Sequence, residues 1–313
     1  MDRSTVMPTP EPSDPDRDLA RRRRHRGMLP QHLRSRSSEV VTGGFFDDAF
    51  FAGYPVFSKN LAFEGMAEGR YRVDFARSAA EVDDLLRLRF EVFNLERNEG
   101  LKSSYRIGRD LDAHDAVCHH LIVREAEKNR IVGTYRLQTN EMAGRYRGFY
   151  SAGEFDISML PSLVLNDAVE VGRACIAPEH RNGRVLHLLW RGLAHYMVRN
   201  RKRHLFGCCS VESQDPIYGR RVMNALERKG CRHRDYSVVP LPGLEAYPEG
   251  LGLETGSDET EAPSLGLLGR YLRLGAKVCG PPMIDREFKT LDFFVLLDVE
   301  AMAPSALRRY FGA

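Results

Sequence analysis

The stretch from residue 169 to residue 196 constrains the fold more than any other part of the chain. Apolar side chains recur from Val169 to Ile176 as in a β-strand, and Pro178 ends this strand because proline has no N–H for the ladder. The dipeptide Asn182-Gly183 is a turn signal. Apolar residues at helical spacing follow the turn: Val185, Leu188, Leu189, Leu193, Tyr196 and Met197. The pattern predicts a strand, a turn and a helix in quick succession.

The turn itself is a candidate anion site. A glycine-containing turn that leads into a helix presents free backbone N–H groups and the positive end of the helix dipole. Arg181 and Arg184 flank Asn182 and Gly183 and would add contacts to a phosphate. Taken alone, this feature is equally compatible with an ordinary strand–helix connection.

Charged residues lie on strands that otherwise read as internal. Arg136, Glu170 and Arg173 interrupt apolar runs, and a buried charge costs several kcal/mol unless it is paired. Asp112 and Asp115 form an Asp-x-x-Asp pair in the loop before a predicted strand. We expect these five residues to pair with one another around a polar cleft.

Two further groups precede the central strand. Arg89 and Phe93 form Arg-x-x-Val-Phe at the end of a predicted helix, and Phe155 lies in Glu-Phe-Asp after a loop rich in glycine and tyrosine. Each charged group also has a structural explanation on its own: Arg89 on a solvated helix face, the two aspartates as loop caps, and Arg136 at a sheet edge. Their joint presence favours a functional site.

Strand and helix patterns alternate along the chain after an initial meander of strands, which predicts a mixed α/β sheet flanked by helices. The predicted strands are 71–75, 117–123, 131–139, 169–176, 205–211 and 291–299, the last of which should close the sheet. The predicted helices are 79–93 with Ser78 as N-cap, 185–197, 216–228 and 265–274. Residues 99–115 lack periodicity and are expected to form a mobile loop.

The composition restricts the class of protein. The net charge of +3 over 313 residues does not indicate a nucleic-acid binder. The six cysteines show no zinc-ligand spacing, so no metal site is expected. No apolar run approaches the roughly 20 residues that span a bilayer, and no secretory signal is evident. We expect a cytoplasmic protein with a peripheral association at the inner membrane face as an option.

The chain divides into regions of different composition. Residues 1–43 form an arginine-rich tail expected to be disordered, in which Arg21–Arg26 is either a solvated run or a tether to anionic lipid or an acidic protein. Residues 44–69 are rich in aromatic residues, and Phe45–Phe57 should pack on the domain or contact a membrane surface. The folded domain is expected over 70–300 with a loop insertion at 241–263, and residues 301–313 are expected to form a C-terminal tail.

The motifs together resemble the N-acyltransferase branch of the GNAT superfamily. The order Arg-x-x-Val-Phe, Asp-x-x-Asp, Arg, Glu-Phe and Glu-x-x-Arg is similar to that of the acyl-homoserine-lactone (autoinducer) synthases. The longer phrases Val-Gly-Thr-Tyr-Arg-Leu, Glu-Val-Gly-Arg-Ala-Cys and Leu-Leu-Trp-Arg-Gly look still more like the ornithine lipid N-acyltransferases. The tryptophan that autoinducer synthases carry after Val-Phe is missing, since the only tryptophan is Trp190, which argues against a homoserine-lactone product.

This resemblance implies a GNAT-like fold that transfers a long acyl chain to a primary amine of a small molecule. The donor would be the phosphopantetheine thioester of acyl carrier protein, or acyl-CoA, with no tightly bound cofactor. It implies catalytic roles for Glu170 as general base, Arg173 and Arg136, substrate contacts by Arg89, Phe93, Asp112, Asp115 and Phe155, and phosphate contacts by Arg181, Asn182, Gly183 and Arg184. An acetyl-CoA-dependent N-acetyltransferase and a non-catalytic scaffold that binds acyl carrier protein are the alternatives.

Overall fold

The structure is a computed structural model, and it describes residues 50–247 and 265–312. Nine strands form one sheet: β1 Met66–Glu68, β2 Tyr71–Phe75, β3 His119–Glu125, β4 Arg130–Thr139, β5 Ala168–Ile176, β6 His204–Val211, β7 Lys277–Val278, β8 Met283–Asp285 and β9 Thr290–Asp298. The α-helices are α1 Ala79–Phe90, α2 Ser104–Ile107, α3 Asn140–Arg145, α4 Ser162–Asn166, α5 Arg184–Arg199, α6 Pro216–Arg228, α7 Gly266–Arg273 and α8 Pro304–Phe311.

The sheet has the strand order β1-β2-β3-β4-β5-β6-β9-β7, and β8 also pairs with β9. Every neighbouring pair is antiparallel except β5 and β6, which run parallel. The mixed α/β sheet expected from the sequence is confirmed. The expectation that the last strand closes the sheet is wrong, because β9 is paired on one side with β6 and on the other with β7 and β8.

Helix α5 begins where the sequence predicts. Gly183 is its N-cap residue, and its φ of 85° is a left-handed conformation that glycine adopts at little cost. The apolar face of α5 packs over strands β2, β3 and β4 and places Leu188, Leu189 and Leu193 in the core. Strand β5, the turn at Asn182-Gly183 and helix α5 therefore form the centre of the domain.

Helix α1 ends differently from the prediction. Its N-cap is Ser78 as expected, since the Ser78 side chain accepts a hydrogen bond from the backbone N–H of Glu81. The α-helical geometry ends at Phe90 and continues as a π-helical turn over Glu91–Glu96. Single π-helical turns are frequent at functional sites because they change the direction in which side chains point.

Several short elements lie in regions for which the sequence predicted none. The expected C-terminal tail contains α8, which packs on α5. Strand β1 and a 3₁₀ helix at Ser58–Leu61 precede residue 70. The expected mobile loop 99–115 contains α2 and carries two completely buried aspartates, Asp110 and Asp115.

The aromatic segment is described from Phe50 onward. Phe51 is buried in the core, and the Tyr54 hydroxyl donates a hydrogen bond to the carbonyl of Ala76. Phe45, Phe46, the Arg21–Arg26 run and most of the 241–263 insertion lie outside the described residues, so their suggested contacts stay predictions. No helix in the described ranges is both long and apolar enough to cross a membrane.

Candidate active site

A fissure opens in the sheet between β5 and β6. The parallel pairing covers only Ala168–Glu170 against His204–Phe206, although β5 continues to Ile176 and β6 to Val211. A cavity of about 640 Å³ occupies this region and is lined by residues of both strands. Glu170, the last paired residue of β5, therefore lies on the cavity wall at the point where the fissure begins.

The cavity has an apolar side and a polar side because side chains alternate between the two faces of a strand. On the face that packs against α5 and α7, the wall is made by large apolar side chains: Leu189, Trp190, Leu193, Leu267, Tyr271 and Val295. The opposite face carries polar groups: Arg136, Gln138, Ser151, Glu170, Cys208 and Asp292. A ligand in the fissure can therefore contact both chemical environments at once.

Glu170 is a buried carboxylate held by the neighbouring 3₁₀ turn Tyr150–Gly153. Its Oε1 accepts hydrogen bonds from the backbone N–H and the hydroxyl of Ser151, at 2.7 and 2.6 Å, and its Oε2 accepts one from the N–H of Tyr150 at 2.8 Å. Burial raises the pKa of Glu170 above its ordinary value, and these hydrogen bonds only partly oppose that effect. The expected pairing of Glu170 with arginines is wrong, since Ser151 and Tyr150 hold it instead.

A β-bulge changes the direction of the strand just after Glu170. Arg136 pairs with Gly172 and Thr134 with Cys175, so Arg173 and Ala174 together oppose a single residue of β4. Arg173 has a φ of 50°, a left-handed conformation that is uncommon for a residue with a side chain. Bulges of this kind re-aim side chains next to active sites, and this one turns Arg173 into the cavity wall.

Arginine and aspartate side chains form a buried ionic network next to the cavity. The Nη1 of Arg136 lies 2.6 Å from Asp112 Oδ1 and 3.1 Å from Asp115 Oδ1. Arg173 Nη2 donates to Asp112 Oδ2 at 3.1 Å. Arg89 joins the network through Asp115 at 2.7 Å and through Asp110 at 2.6 Å. Each charge of this network therefore has a partner of opposite sign, as expected from the sequence for Arg136, Arg173, Asp112 and Asp115.

The network fixes the ionisation state of its carboxylates. Burial alone would raise the pKa of Asp112, but Arg136, Arg173 and Arg89 outweigh it and hold the pKa well below its ordinary value. The same balance between burial and Arg89 lowers the pKa of Asp115. The ring of Tyr150 lies 5.2 Å from the guanidinium carbons of both Arg136 and Arg173, which fixes these two side chains further.

The structure separates the expected substrate-contact residues into two groups. Phe93 lies on the cavity wall. Arg89, Asp112 and Asp115 are not among the wall residues, and their polar atoms are engaged in the ionic network. Phe155 is also absent from the wall; its ring packs edge-on against Phe294, 5.7 Å away, in a second core cluster. Arg89, Asp112, Asp115 and Phe155 therefore lie behind the cavity wall and pack against the residues that form it.

The turn before α5 lies at the edge of the cavity. Arg181 and Gly183 are on its wall, and the Asn182 Oδ1 accepts a hydrogen bond from the N–H of Arg184 at 3.0 Å. Arg181 was expected to contact a phosphate, but its guanidinium already forms a bidentate ion pair with Glu96, at 2.5 and 2.7 Å.

A second cleft on the outer side of the same turn is strongly basic. It combines Arg184 and Arg191 of α5 with Arg308 and Arg309 of α8, and Glu68 is the acidic residue in its lining. Arg308 and Arg309 were not expected at this place, because residues 301–313 were predicted to form a tail. The spacing of Leu307, Tyr310 and Phe311 after Pro304 was the signal that could have found this helix.

Gln138 is a buried polar residue of the cavity wall that the sequence did not indicate, because it has no charge and belongs to no motif. Gln138 is 1% exposed, faces Glu170 across the β4–β5 ladder, and lines the cavity. Within the described part of the chain, neither its Oε1 nor its Nε2 has a hydrogen-bond partner. Buried amides are ordinarily hydrogen-bonded, so Gln138 is available to a ligand.

Comparison with known proteins defines the class to which this fold and site belong. Residues 88–191 match the family model described as an acetyltransferase (GNAT) domain. This match covers less than half of the chain, and together with the mixed sheet described above it indicates the GNAT-like fold expected from the resemblance.

More similar relatives define the family. The chain is 34% identical to the L-ornithine N(alpha)-acyltransferase of Brucella abortus (strain 2308), over 78% of this chain and 90% of that protein. It is 32% identical to that of Agrobacterium fabrum (strain C58 / ATCC 33970), over 78% and 86%. The chain belongs to the L-ornithine N(alpha)-acyltransferase family. Among solved structures it is similar to the AHL synthase LasI, with a TM-score of 0.44 and 12% identity, over 79% of this chain and 97% of that one.

Proposed function

We propose that this protein transfers a long acyl chain from the thioester of acyl carrier protein to the α-amino group of L-ornithine. The observation that carries the proposal is the cavity at the β5–β6 fissure, in which an apolar side and a polar side meet at Glu170. An acyl chain suits the apolar wall of α5 and α7, and an amino acid suits the polar wall. The family relatives named for ornithine support this choice of acceptor.

The proposed chemistry needs a base, and Glu170 is placed to be that base. An amine must be neutral to attack a thioester, and the raised pKa of Glu170 brings this carboxylate closer to the range in which it accepts a proton. Among the described residues, its Oε2 accepts a hydrogen bond only from the N–H of Tyr150, which leaves a lone pair for the ammonium proton. The new C–N bond then forms, the C–S bond breaks, and the thiol leaves with a proton.

The strand beyond Glu170 offers donors for the oxyanion. Its pairing with β6 ends at Glu170, so backbone N–H groups directed toward β6 after that residue face the fissure. N–H groups fixed in this way stabilise the negative oxygen of a tetrahedral intermediate. No covalent nucleophile is required, and burial raises the pKa of the nearby Cys175 thiol far above its ordinary value, which disfavours a thiolate.

We assign the carboxylate of the acceptor to the polar wall made by Arg136, Arg173 and Gln138. The two arginines lie on the cavity wall and carry fixed positive charges, and the Gln138 amide offers an N–H donor. Arginine suits a carboxylate because its planar guanidinium can bind both oxygens. The aspartates behind the arginines keep them oriented.

We assign the phosphate of the donor to the Asn182–Arg184 turn and the acidic carrier protein to the basic cleft beside it. Arg308 and Arg309 are exposed on α8, and Arg184 is exposed on α5. Clustered surface arginines increase the rate of association with an acidic partner, and salt screens this effect.

The test compares donors in a reconstituted reaction with ornithine. The kcat/KM should be higher for a long-chain acyl thioester of acyl carrier protein than for the CoA thioester of the same chain, and higher for both than for acetyl-CoA. Replacing Arg308 and Arg309 by alanine should lower kcat/KM about tenfold for the carrier-bound donor at low salt, with little effect on acyl-CoA. The control is the double alanine variant of Arg221 and Arg228, which are exposed on α6 away from this cleft.

Three results would contradict the proposal. Better use of acetyl-CoA than of any long-chain donor would favour a small-molecule acetyltransferase. Equal losses for carrier and coenzyme A donors in the Arg308 and Arg309 variant would remove the docking assignment. Transfer to other amines with none to ornithine would refute the acceptor.

A further inference from the structure

Three carboxylates meet at the polar side of the cavity, two from the adjacent strands β8 and β9 and one from far earlier in the sequence. Glu154 follows the 3₁₀ turn that holds Glu170, Asp285 ends β8, and Asp292 lies on β9. One oxygen of each lies within 4.8 Å of the other two. Asp285 and Asp292 line the cavity, and Glu154 and Asp292 are more than nine-tenths buried.

The cluster is on the same face of the sheet as Glu170. Asp292 pairs with Ser210 across the β6–β9 ladder, and Glu170 pairs with Phe206, four residues earlier on β6. Residues an even number apart on a strand share a face. Ser151 and Cys208 link the two places. The Ser151 hydroxyl donates to Glu170 at 2.6 Å and accepts from the Cys208 thiol at 3.4 Å, and this thiol also lies beside the Glu154 carboxylate. A small ligand at Glu170 can therefore reach the cluster.

The cluster has no cation of its own in the described part of the chain. No arginine, lysine or histidine nitrogen there forms an ion pair with Glu154, Asp285 or Asp292. Thr290 donates to Asp292 at 2.8 Å, but Oε2 of Glu154 is buried without a partner. This contrasts with the arginine–aspartate network, where every carboxylate faces a guanidinium.

Such an arrangement is unfavourable without a ligand. Burial and the charge of Asp292 raise the pKa of Glu154 to about 7. Burial raises the pKa of Asp292 to about 6, although the charge of Arg173 opposes it. Buried carboxylates of like charge are stabilised when a cation is placed between them.

We infer that Glu154, Asp285 and Asp292 bind the side-chain ammonium group of a diamino acid acceptor. The inference rests on the proposed function and extends it to the residues that select ornithine over amino acids with neutral side chains. An ammonium group has three N–H donors, which matches three converging carboxylates. The α-amino group of the acceptor would then lie at Glu170 and its carboxylate at Arg136 and Arg173, so that all three polar groups of ornithine have a partner.

The test uses two acceptors that differ only in the distal amine, ornithine and 2-aminopentanoate. The wild-type protein should prefer ornithine at least about tenfold in kcat/KM. Asp292→Asn and Glu154→Gln should each remove most of this preference by raising the KM for ornithine, with the kcat/KM for 2-aminopentanoate unchanged or higher. Both replacements are close in shape and remove a repulsive charge, so the melting temperature should hold or rise.

The matched control is Glu99→Gln. Glu99 also lines the cavity, and burial raises its pKa to about 7, but it lies outside the cluster. This variant should keep the wild-type preference for ornithine.

The possible failures are distinguishable. If the wild-type protein acylates neither acceptor, the proposed function itself is refuted. If it acylates ornithine but both cluster variants keep the wild-type preference, or if the wild type shows none, only the ammonium site is refuted. If purified protein carries one divalent metal per chain and a chelator abolishes activity that the metal restores, the cluster is a metal site and the inference is overturned.

Discussion

Glu170 illustrates how a single side chain depends on its hydrogen-bond donors. The N–H groups of Tyr150 and Ser151 orient the carboxylate and lower its pKa, while burial raises the pKa by more. These donors also limit what a substitution can preserve. A glutamine at this position would present an NH₂ group to one of them and would lose a hydrogen bond, at a cost of about 1 kcal/mol in the free energy of unfolding.

We predict that Glu170→Gln lowers kcat by about 10²- to 10⁴-fold, because it removes the base, and lowers the melting temperature only slightly. The measurements are kcat as a function of pH and the thermal unfolding curve. Ser151→Ala is the control, since it removes one of the hydrogen bonds to Glu170, and the contact from the Cys208 thiol, but keeps the carboxylate. Wild-type turnover by Glu170→Gln across the pH range, or equal losses in the two variants, would show that Glu170 only braces the turn.

The sequence indicated some site residues and not others for a physical reason. Arg136, Glu170 and Arg173 were detectable because a charge on an apolar strand requires a partner. Gln138 carries no charge and belongs to no motif, so nothing in the sequence separated it from a surface amide. The cluster of Glu154, Asp285 and Asp292 exists only after strands β6, β8 and β9 are paired, and local pattern does not contain that pairing.

At the scale of elements, Gly183 joins the fissure to helix α5. A Cβ at this residue would meet no atom within 4 Å, so a substitution there suffers only from the positive φ. That strain is worth about 1–2 kcal/mol. A side chain at this place would project where a phosphate is expected to approach the helix N-terminus.

We predict that Gly183→Ala raises the KM for the acyl donor several-fold and lowers the melting temperature by a few degrees. Gly230→Ala is the matched control, because Gly230 also has a positive φ of 65° and open space but lies at the end of α6. The two variants should lose similar stability, and only the first should change donor KM. An unchanged donor KM in Gly183→Ala would leave the glycine with a structural role alone.

Long elements with clear ends were predictable from local sequence. Helix α6 runs from Pro216 to Arg228 as expected, because Asp215 accepts a hydrogen bond at its start and proline fits the first turn. Strands β7 and β8 have two and three residues, too few for an alternation to be read. The β5 bulge at Arg173 is not visible in the sequence either, since it depends on the register with β4.

At the scale of the whole molecule, two groups of buried acids have opposite effects on stability as a function of pH. Asp112 and Asp115 have lowered pKa values, so their contribution is present above their ordinary pKa and is lost as pH falls through the lowered values. Glu154 and Asp292 have raised pKa values of about 7 and about 6. They bind more protons in the folded state, so their contribution is lost as pH rises toward those values.

We predict that the contribution of Glu154 and Asp292 to the melting temperature of the ligand-free protein falls as pH rises from about 5 to about 7, because the folded state keeps their protons while the unfolded state has lost them. Asp292→Asn should flatten this fall. The measurement is thermal unfolding of both proteins in buffers of equal ionic strength. Parallel curves for the two proteins would mean that Asp292 is already ionised throughout this range.

The short ladder between β5 and β6 has a mechanical consequence. Strands β6 and β9 share eight registered pairs, whereas β5 and β6 share three. Hydrogen bonding therefore divides the nine strands into two blocks, one from β1 to β5 and one from β6 to β9, joined along a narrow seam. A molecule that lies in the fissure and touches both strands spans this seam. We therefore expect a substrate bound as proposed to connect the two blocks, so that the sheet is more continuous with substrate than without it.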